Sequence, residues 1–175
     1  MLEVLIKINR AITKFEEWIA WTSFAFVFAL MFVAVIFRYV FNSPFTWTEE
    51  LILIAFSWIV FLGASACLPA HALLRVDAFV RIAPKPIQDL AGIAAVACML
   101  FILGVFVWYG FAYTFAVWPD EFPMLGLSFG WGFLSLPVAS CFAIIHIACL
   151  VLTGGVHATF MSVTEMDETQ APGAY

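Results

Sequence analysis

The chain has 175 residues, of which 65% are hydrophobic and 11% charged, and its formal net charge is −5. An ordinary soluble domain carries roughly 25% charged residues, so this composition excludes one. The acidic balance also excludes the basic surface that nucleic acid requires. Charged residues are absent from four long stretches, namely 18–37, 51–74, 90–119 and 122–164. Since about 20 predominantly apolar residues cross a bilayer as a helix, the sequence predicts an all-α integral membrane protein with four transmembrane helices.

The N-terminal segment, residues 1–17, places charged and apolar residues on separate stripes at helical spacing. We interpret it as an amphipathic helix that lies along the membrane surface and leads into the first span. A helix that binds a partner is the alternative. The apolar run that follows is longer than the core of a signal peptide, so it is expected to remain as a span.

The first two spans are predicted at about 18–41 and 47–69. Asn42-Ser43-Pro44 ends the first, because proline disfavours helix at the residue before it. Thr46-x-x-Glu49 fits a capping box at the start of the second span.

Arg38 and two carboxylates, Glu49 and Glu50, are expected at the same outer boundary of the membrane. A short hairpin would allow Arg38 to pair with one of them and fix how the two helices leave the membrane. The alternative is that Arg38 snorkels to the interface while Glu49 caps the helix.

The third and fourth spans are predicted at about 89–117 and 129–154, which completes a membrane domain over residues 18–155. Pro137 lies inside the fourth span and is expected to bend it. Residues 156–175 lose the apolar pattern and become acidic, which is typical of a disordered tail.

Basic residues indicate the orientation of the chain. Six of the seven Lys and Arg residues fall on one side of a four-span chain: Lys7, Arg10, Lys14, Arg75, Arg81 and Lys85. By the positive-inside rule this side is the cytoplasm, so both termini are expected to be cytoplasmic. Trp58 and Trp108 lie deeper than the interfaces and are candidates for packing between helices.

The predicted spans offer little chemistry. The middles of the first three contain no Asp, Glu, Lys, Arg or His, and the fourth contains only His146. Ionisable residues inside a membrane usually mark a transport pathway, so the chain alone is not expected to carry a polar substrate across. We expect His146 to form a hydrogen bond to a neighbouring helix. A haem held by His71 and His146 is the alternative, although the two residues lie at different depths.

No cofactor or metal site is indicated. The four cysteines fall inside predicted spans and form no Cys-x-x-Cys pair. Small residues at Gly63–Cys67, at Ala91–Cys98 and at Ala139 and Ala143 predict close contacts between helices.

The stretch from Arg38 to Asp77 resembles the small membrane subunit of TRAP transporters, the tripartite ATP-independent periplasmic transporters. The matching features are Arg38-Tyr39, Trp47-Thr48-Glu49-Glu50, Trp58, Gly63-Ala64, Arg75-Val76-Asp77, Trp131 and Pro137. One position departs from the family's pattern. The family often has His two residues before the Arg of its Arg-Val-Asp segment, whereas this chain has Leu73 there and His71 two residues earlier.

The resemblance implies a DctQ-like small permease subunit in a bacterial inner membrane, without enzymatic activity. In that family a large permease subunit carries the substrate and sodium sites, and a periplasmic substrate-binding protein delivers an organic acid. The small subunit packs beside the large one as a scaffold, surrounded by membrane lipid. The candidate structural or interface residues are Arg38, Trp47, Glu49, Glu50, Trp58, Gly63, Arg75, Asp77, Trp131 and Pro137. A membrane anchor of an electron-transfer complex, an assembly factor and a small exporter are the alternatives.

Overall fold

A computed structural model describes residues 2–43, 45–69 and 85–158. Its helices are α1 Leu2–Tyr39, α2 Trp47–Ala66, α3 Lys85–Ala116, α4 Gly130–Phe133 and α5 Ser135–Ala158. Four stretches are long and apolar enough to cross a membrane: Leu5–Tyr39, Trp47–Ala66, Leu90–Ala116 and Gly130–Leu152. The predicted all-α fold with four transmembrane helices is therefore confirmed. His71, Arg75 and Asp77, and the predicted tail beyond Ala158, lie outside the described residues.

Helix α1 runs without interruption through residue 17, where the amphipathic segment was predicted to end. Its 38 residues reach about 57 Å at 1.5 Å per residue, which is well beyond the thickness of the hydrocarbon core. After α1, Asn42 has a φ of 53°, a left-handed conformation that asparagine tolerates at helix ends. The Ser43 N–H donates to the Phe37 carbonyl at 3.2 Å, so the chain turns back towards α2.

The predicted capping box at the start of α2 is wrong. Thr46 has helical backbone angles, φ −69° and ψ −29°, and its side chain forms no capping hydrogen bond. A side-chain cap requires an extended residue at this position, which Thr46 is not. The Thr48 hydroxyl instead donates to the Phe45 carbonyl at 2.6 Å.

The fourth span is divided at Leu134 into α4 and α5. Pro137 accounts for the division, since it has no N–H to donate to the Phe133 carbonyl and its ring crowds that oxygen. The sequence predicted a bend in this span, and the structure has its irregular turn one helical turn before the proline.

The helices pack in the order α1, α2, α5 and α3, and the N-terminal half of α1 also contacts α5. Helices α2 and α3 make no close backbone contact within the described parts of the chain. Leu62 of α2 and Ile147 of α5 lie wholly buried at the centre. Trp108, which was predicted to pack between helices, is 75% exposed on the outside of the described bundle.

Candidate functional site

The end of the bundle at the hairpin between α1 and α2 brings Arg38 and Glu49 together, as the sequence favoured. Arg38 Nη2 lies 3.6 Å from Glu49 Oε1, with 59% and 73% of the two side chains exposed. An exposed pair at this distance contributes at most about 1 kcal/mol to stability. The contact therefore orients the first hairpin without holding it firmly.

Glu50 forms a stronger attachment at the same end. Its Oε2 accepts hydrogen bonds from the Met124 N–H at 3.1 Å and from the Leu125 N–H at 2.8 Å. Hydrogen bonds to a charged acceptor are roughly twice as strong as neutral ones. The first turn of α2 thus holds the loop between α3 and α4, although the two are separated by more than 70 residues of sequence.

The loop between α3 and α4 also has internal contacts that fix its shape. The Phe122 N–H donates to the Leu127 carbonyl at 2.8 Å, and the rings of Phe122 and Phe129 lie 4.0 Å apart. Gly126 has a φ of 66°, a conformation that favours glycine. The loop is therefore a compact cap over the end of the bundle that holds the α1–α2 hairpin.

Side chains of α2 bind the carbonyls of α4 close to its irregular turn. The Trp58 indole N–H donates to the Trp131 carbonyl at 3.0 Å. The Gly132 carbonyl accepts from the Ser57 hydroxyl at 3.2 Å and from the Ser135 hydroxyl at 2.6 Å. Proline is tolerated in membrane helices where neighbouring side chains satisfy the backbone groups that it leaves without partners. These bonds attach the interrupted span to α2.

Helices α3 and α5 approach closely where Gly110 meets Pro137. A Cβ atom on Gly110 would lie 3.1–3.3 Å from three ring atoms of Pro137. Thr114, one turn later, is wholly buried, and its hydroxyl bonds back to the Gly110 carbonyl at 2.7 Å. The absence of a side chain at Gly110 therefore permits this approach.

The opposite end of the bundle contains a cluster that we call the polar clamp, formed by the half-buried Asn9 and the buried Glu16 and His146. His146 Nδ1 lies 2.6 Å from Asn9 Oδ1, and His146 Nε2 lies 2.8 Å from Glu16 Oε2. The side chains of Glu16 and His146 are both 0% exposed. One histidine of α5 is thereby joined to two positions, two turns apart, on one face of α1.

Both ring nitrogens of His146 are occupied by the polar clamp, which leaves neither free to ligate a haem iron. Which nitrogen carries a proton depends on the tautomer. Glu16 Oε1 is buried and has no hydrogen-bond partner in the described structure. Through both ring nitrogens His146 joins α5 to α1, as expected of this residue.

Asn9 and Glu16 were not identified from the sequence. The charged stripe interpreted as the wet face of the N-terminal segment is exposed where its side chains are described, at Lys7, Arg10, Lys14 and Glu17. Asn9 and Glu16 do not belong to that stripe. In the structure Glu16 is buried, whereas the apolar Ile8 and Phe15 are about half exposed. The seven-residue separation of Asn9 and Glu16, which places both on one helix face, is the signal that could have identified them.

Two further residues predicted from the sequence, Trp47 and Gly63, make few contacts in the structure. Trp47 is partly exposed, with its ring 5.9 Å from that of Phe45. A Cβ atom on Gly63 would meet nothing within 4 Å, so the helices do not close on it. Within the described residues, no group of three or more His, Cys, Asp and Glu side chains could hold a metal ion.

A family model for the DctQ component of the tripartite ATP-independent periplasmic transporters matches residues 13–154. The chain is 27% identical over 130 residues to the sialic acid TRAP transporter permease protein SiaT of Haemophilus influenzae (strain 86-028NP). That alignment covers 74% of this chain and 21% of the relative.

A second relative is the C4-dicarboxylate TRAP transporter small permease protein DctQ of Vibrio cholerae serotype O1. It is 39% identical over 71 residues, which is 41% of this chain and 31% of the relative. The chain therefore matches about a fifth to a third of the length of these two relatives.

Proposed function

The chain belongs to the DctQ component family of tripartite ATP-independent periplasmic transporters, and from this premise we propose that it is the small, non-catalytic subunit of a sodium-coupled organic-acid importer. Members of this family are components of transporters. The four long apolar helices agree with a multi-pass protein of the inner membrane. We propose that both termini are cytoplasmic, because six of the seven Lys and Arg residues precede the first span or lie between the second and third.

One observation supports the scaffold role. The buried ionisable groups of the described bundle bind other helices of the bundle, and none of them forms a binding site for a carboxylate. In the described spans, the buried ionisable side chains Glu16 and His146 bind one another. A carboxylate substrate needs a cationic group to balance its charge, and no Lys or Arg side chain is buried in the described bundle. Substrate and sodium sites accordingly belong to a large permease subunit.

The outer faces of α1 and α3 are suited to a partner in the membrane. Large apolar side chains cover them, including Trp21, Phe28, Phe101 and Trp108. Such faces contact lipid or another membrane protein, and a rigid bundle presents them in a constant arrangement. We propose that part of this surface packs against the large permease subunit.

An organic acid is proposed as the substrate because the names of the two relatives refer to sialic acid and to C4-dicarboxylates, which are both carboxylic acids. A periplasmic substrate-binding protein is the proposed third component. Specificity is then proposed to depend on the partners, because no buried Lys or Arg side chain is present in the part of the bundle that the structure describes.

The proposal is tested by co-purification of the chain with its partners, followed by measurement of acid uptake into liposomes. The tagged chain is purified from its host in a mild detergent, and the bound proteins are identified by mass spectrometry. Recovery of a larger polytopic permease in comparable amount, together with sodium-dependent acid uptake that requires both chains in liposomes, is the expected result. Recovery of the chain with redox subunits and a haem absorption band would contradict the proposal.

A further inference from the structure

Three basic side chains lie along one side of the N-terminal half of α1, and we call them the basic stripe: Lys7, Arg10 and Lys14. All three are exposed. None of them forms an ion pair or a hydrogen bond with another described residue. Their spacing of three and four residues places them within about 60° of one another around the helix axis. The described part of the protein therefore leaves these three positive charges unneutralised.

The basic stripe faces away from the helix that packs against this half of α1. Asn9 and Glu16 hold α1 to α5 through His146. At about 100° per residue, the centre of the basic stripe lies roughly 140° around α1 from these two positions. The basic stripe is therefore open to the medium that surrounds this end of the bundle.

The polar clamp shows how deep this end of the bundle lies in the membrane. The charged contact of Arg38 with Glu49 marks one edge of the hydrocarbon, at the hairpin between α1 and α2. Along α1, Glu16 lies about 33 Å from Arg38 at 1.5 Å per residue. Along α2 and α5, the path from Glu49 crosses at the Gly132 carbonyl and reaches His146 after about the same distance. Since the hydrocarbon core is about 30 Å thick, the polar clamp lies at its other edge.

The basic stripe begins just beyond this edge. Lys14 lies about 36 Å from Arg38 along α1, and the headgroup layer of a bilayer extends about 5–8 Å beyond the hydrocarbon. The other two basic residues follow within about 10 Å, which is the reach of a charge at physiological salt. On the same side of α1, the stripe continues towards the hydrocarbon as Trp18 and Trp21, which are 68% and 74% exposed. Exposed tryptophans are typical of the boundary between headgroups and hydrocarbon.

We propose that the basic stripe binds the phosphate groups of anionic phospholipids in the leaflet at this end of the bundle, with Trp18 and Trp21 at the base of their headgroups. Ammonium and guanidinium groups donate charge-assisted hydrogen bonds to phosphate oxygens. Each basic residue at an anionic membrane surface strengthens binding about fivefold. The polar clamp then holds one side of α1 and lipid headgroups hold the other, which fixes the height of α1 in the membrane.

An acidic segment of the same chain is the other occupant that charge alone would allow. Glu165, Asp167 and Glu168 carry three negative charges near the C-terminus. Phospholipid is favoured because Trp18 and Trp21 continue the basic stripe into the hydrocarbon, where an acidic peptide gains nothing from indole rings. The inference rests on the membrane-spanning fold and does not depend on the proposed role in transport.

The test uses the purified full-length chain in mild detergent with equal amounts of phosphatidylglycerol and phosphatidylcholine that have identical acyl chains. Native mass spectrometry counts the retained lipids. We expect phosphatidylglycerol to be retained about fivefold more than phosphatidylcholine, and raising the salt from about 0.1 M to about 1 M to abolish this preference. Lys7→Gln/Arg10→Gln/Lys14→Gln is expected to bring the ratio close to one. Lys7→Arg/Arg10→Lys/Lys14→Arg should preserve it, and Glu17→Gln, at the edge of the basic stripe, should raise it about twofold.

Arg38→Gln is the control, because it removes a basic side chain at the other end of α1, and it should leave the ratio within about twofold of wild type. Phosphatidylglycerol with a photoreactive headgroup locates the lipid on the wild-type chain, and its cross-links are expected in residues 7–21. Cross-links confined to other residues would overturn the proposal. So would an unchanged ratio in the triple glutamine variant with normal helical content, since the basic residues would then serve only to orient the chain during insertion.

A third result would assign the basic stripe to the acidic segment. In that case the wild-type chain would show no preference for phosphatidylglycerol, and Glu165→Gln/Asp167→Asn/Glu168→Gln would acquire one. These measurements use the chain without partner proteins, so failure of a large permease subunit to co-purify would leave them valid.

Discussion

His146 Nε2 lies 2.8 Å from Glu16 Oε2 across 130 residues of sequence, and neither side chain is exposed. This contact joins the fourth span to the N-terminal half of α1, which the charge pattern alone assigns to the membrane surface. Helices α1 and α5 are therefore parts of one bundle at the end opposite the loop between α3 and α4.

Removing one member of this pair is expected to destabilise the protein severely. Glu16→Ala or His146→Ala should lower the free energy of unfolding by about 3–5 kcal/mol, because the other group remains buried without its partner. The double variant Glu16→Leu/His146→Leu should lose much less than the sum of the two. Unfolding in detergent, followed by circular dichroism, measures these differences.

Glu17→Ala is the control for this experiment, since Glu17 neighbours Glu16 in sequence but is exposed. Its effect should stay within about 0.5 kcal/mol. Strictly additive losses at positions 16 and 146 would show that the two side chains do not depend on one another.

The loop between α3 and α4 is expected to loosen when Glu50 is changed. Glu50→Ala removes the acceptor of the Met124 and Leu125 amides, and hydrogen exchange at these two amides should accelerate about tenfold or more. Glu50→Gln retains one acceptor oxygen and should have a smaller effect. Glu49→Ala serves as the control, because the exposed ion pair of Glu49 with Arg38 contributes little to stability. Unchanged hydrogen exchange at Met124 and Leu125 in Glu50→Ala would show that Glu50 does not hold the loop.

Trp58→Phe is expected to cost about 1 kcal/mol of stability, because the Trp131 carbonyl loses the indole donor. Ser57→Ala should cost less, since the Gly132 carbonyl keeps the Ser135 hydroxyl as a donor. Trp21→Phe is the matched control at an exposed tryptophan. Equal losses from the Trp58 and Trp21 variants in thermal unfolding would contradict the role of the indole N–H.

Gly110→Ala is expected to push α3 away from α5 and to cost about 1–3 kcal/mol, because its Cβ would crowd Pro137. Gly104→Ala is the control on the same helix. A Cβ there meets nothing within 4 Å, so the higher helix propensity of alanine should make it neutral or stabilising by up to about 1 kcal/mol. Adding Pro137→Ala to Gly110→Ala should recover part of the loss, and no recovery would assign the cost to another contact.

The sequence predicts the spans well because each requirement is local. A run of about 20 apolar residues is sufficient to cross the hydrocarbon, whatever its neighbours are. Pro137 is equally local, since a missing N–H disturbs the helix in any surroundings. The capping box failed because it also requires an extended backbone at Thr46, which the sequence motif does not specify.

The contacts that join the helices could not be predicted in the same way. Helical spacing shows that Asn9 and Glu16 share a face, but it does not show whether that face meets water or His146. The Glu50 contact with Met124 depends on how two distant segments meet in three dimensions. Such pairings follow from the packing of the whole bundle, so a single sequence leaves many alternatives open.

The position of the polar clamp in the sequence has a consequence for biosynthesis. Ribosomes complete α1 long before they reach His146, so Asn9 and Glu16 enter the membrane before their binding partner has been made. Until α5 arrives, α1 must keep its buried polar face at the membrane surface or against the insertion machinery. Helix α5 therefore completes the placement of α1, and translation that stops before residue 146 should leave α1 accessible to quality-control proteases.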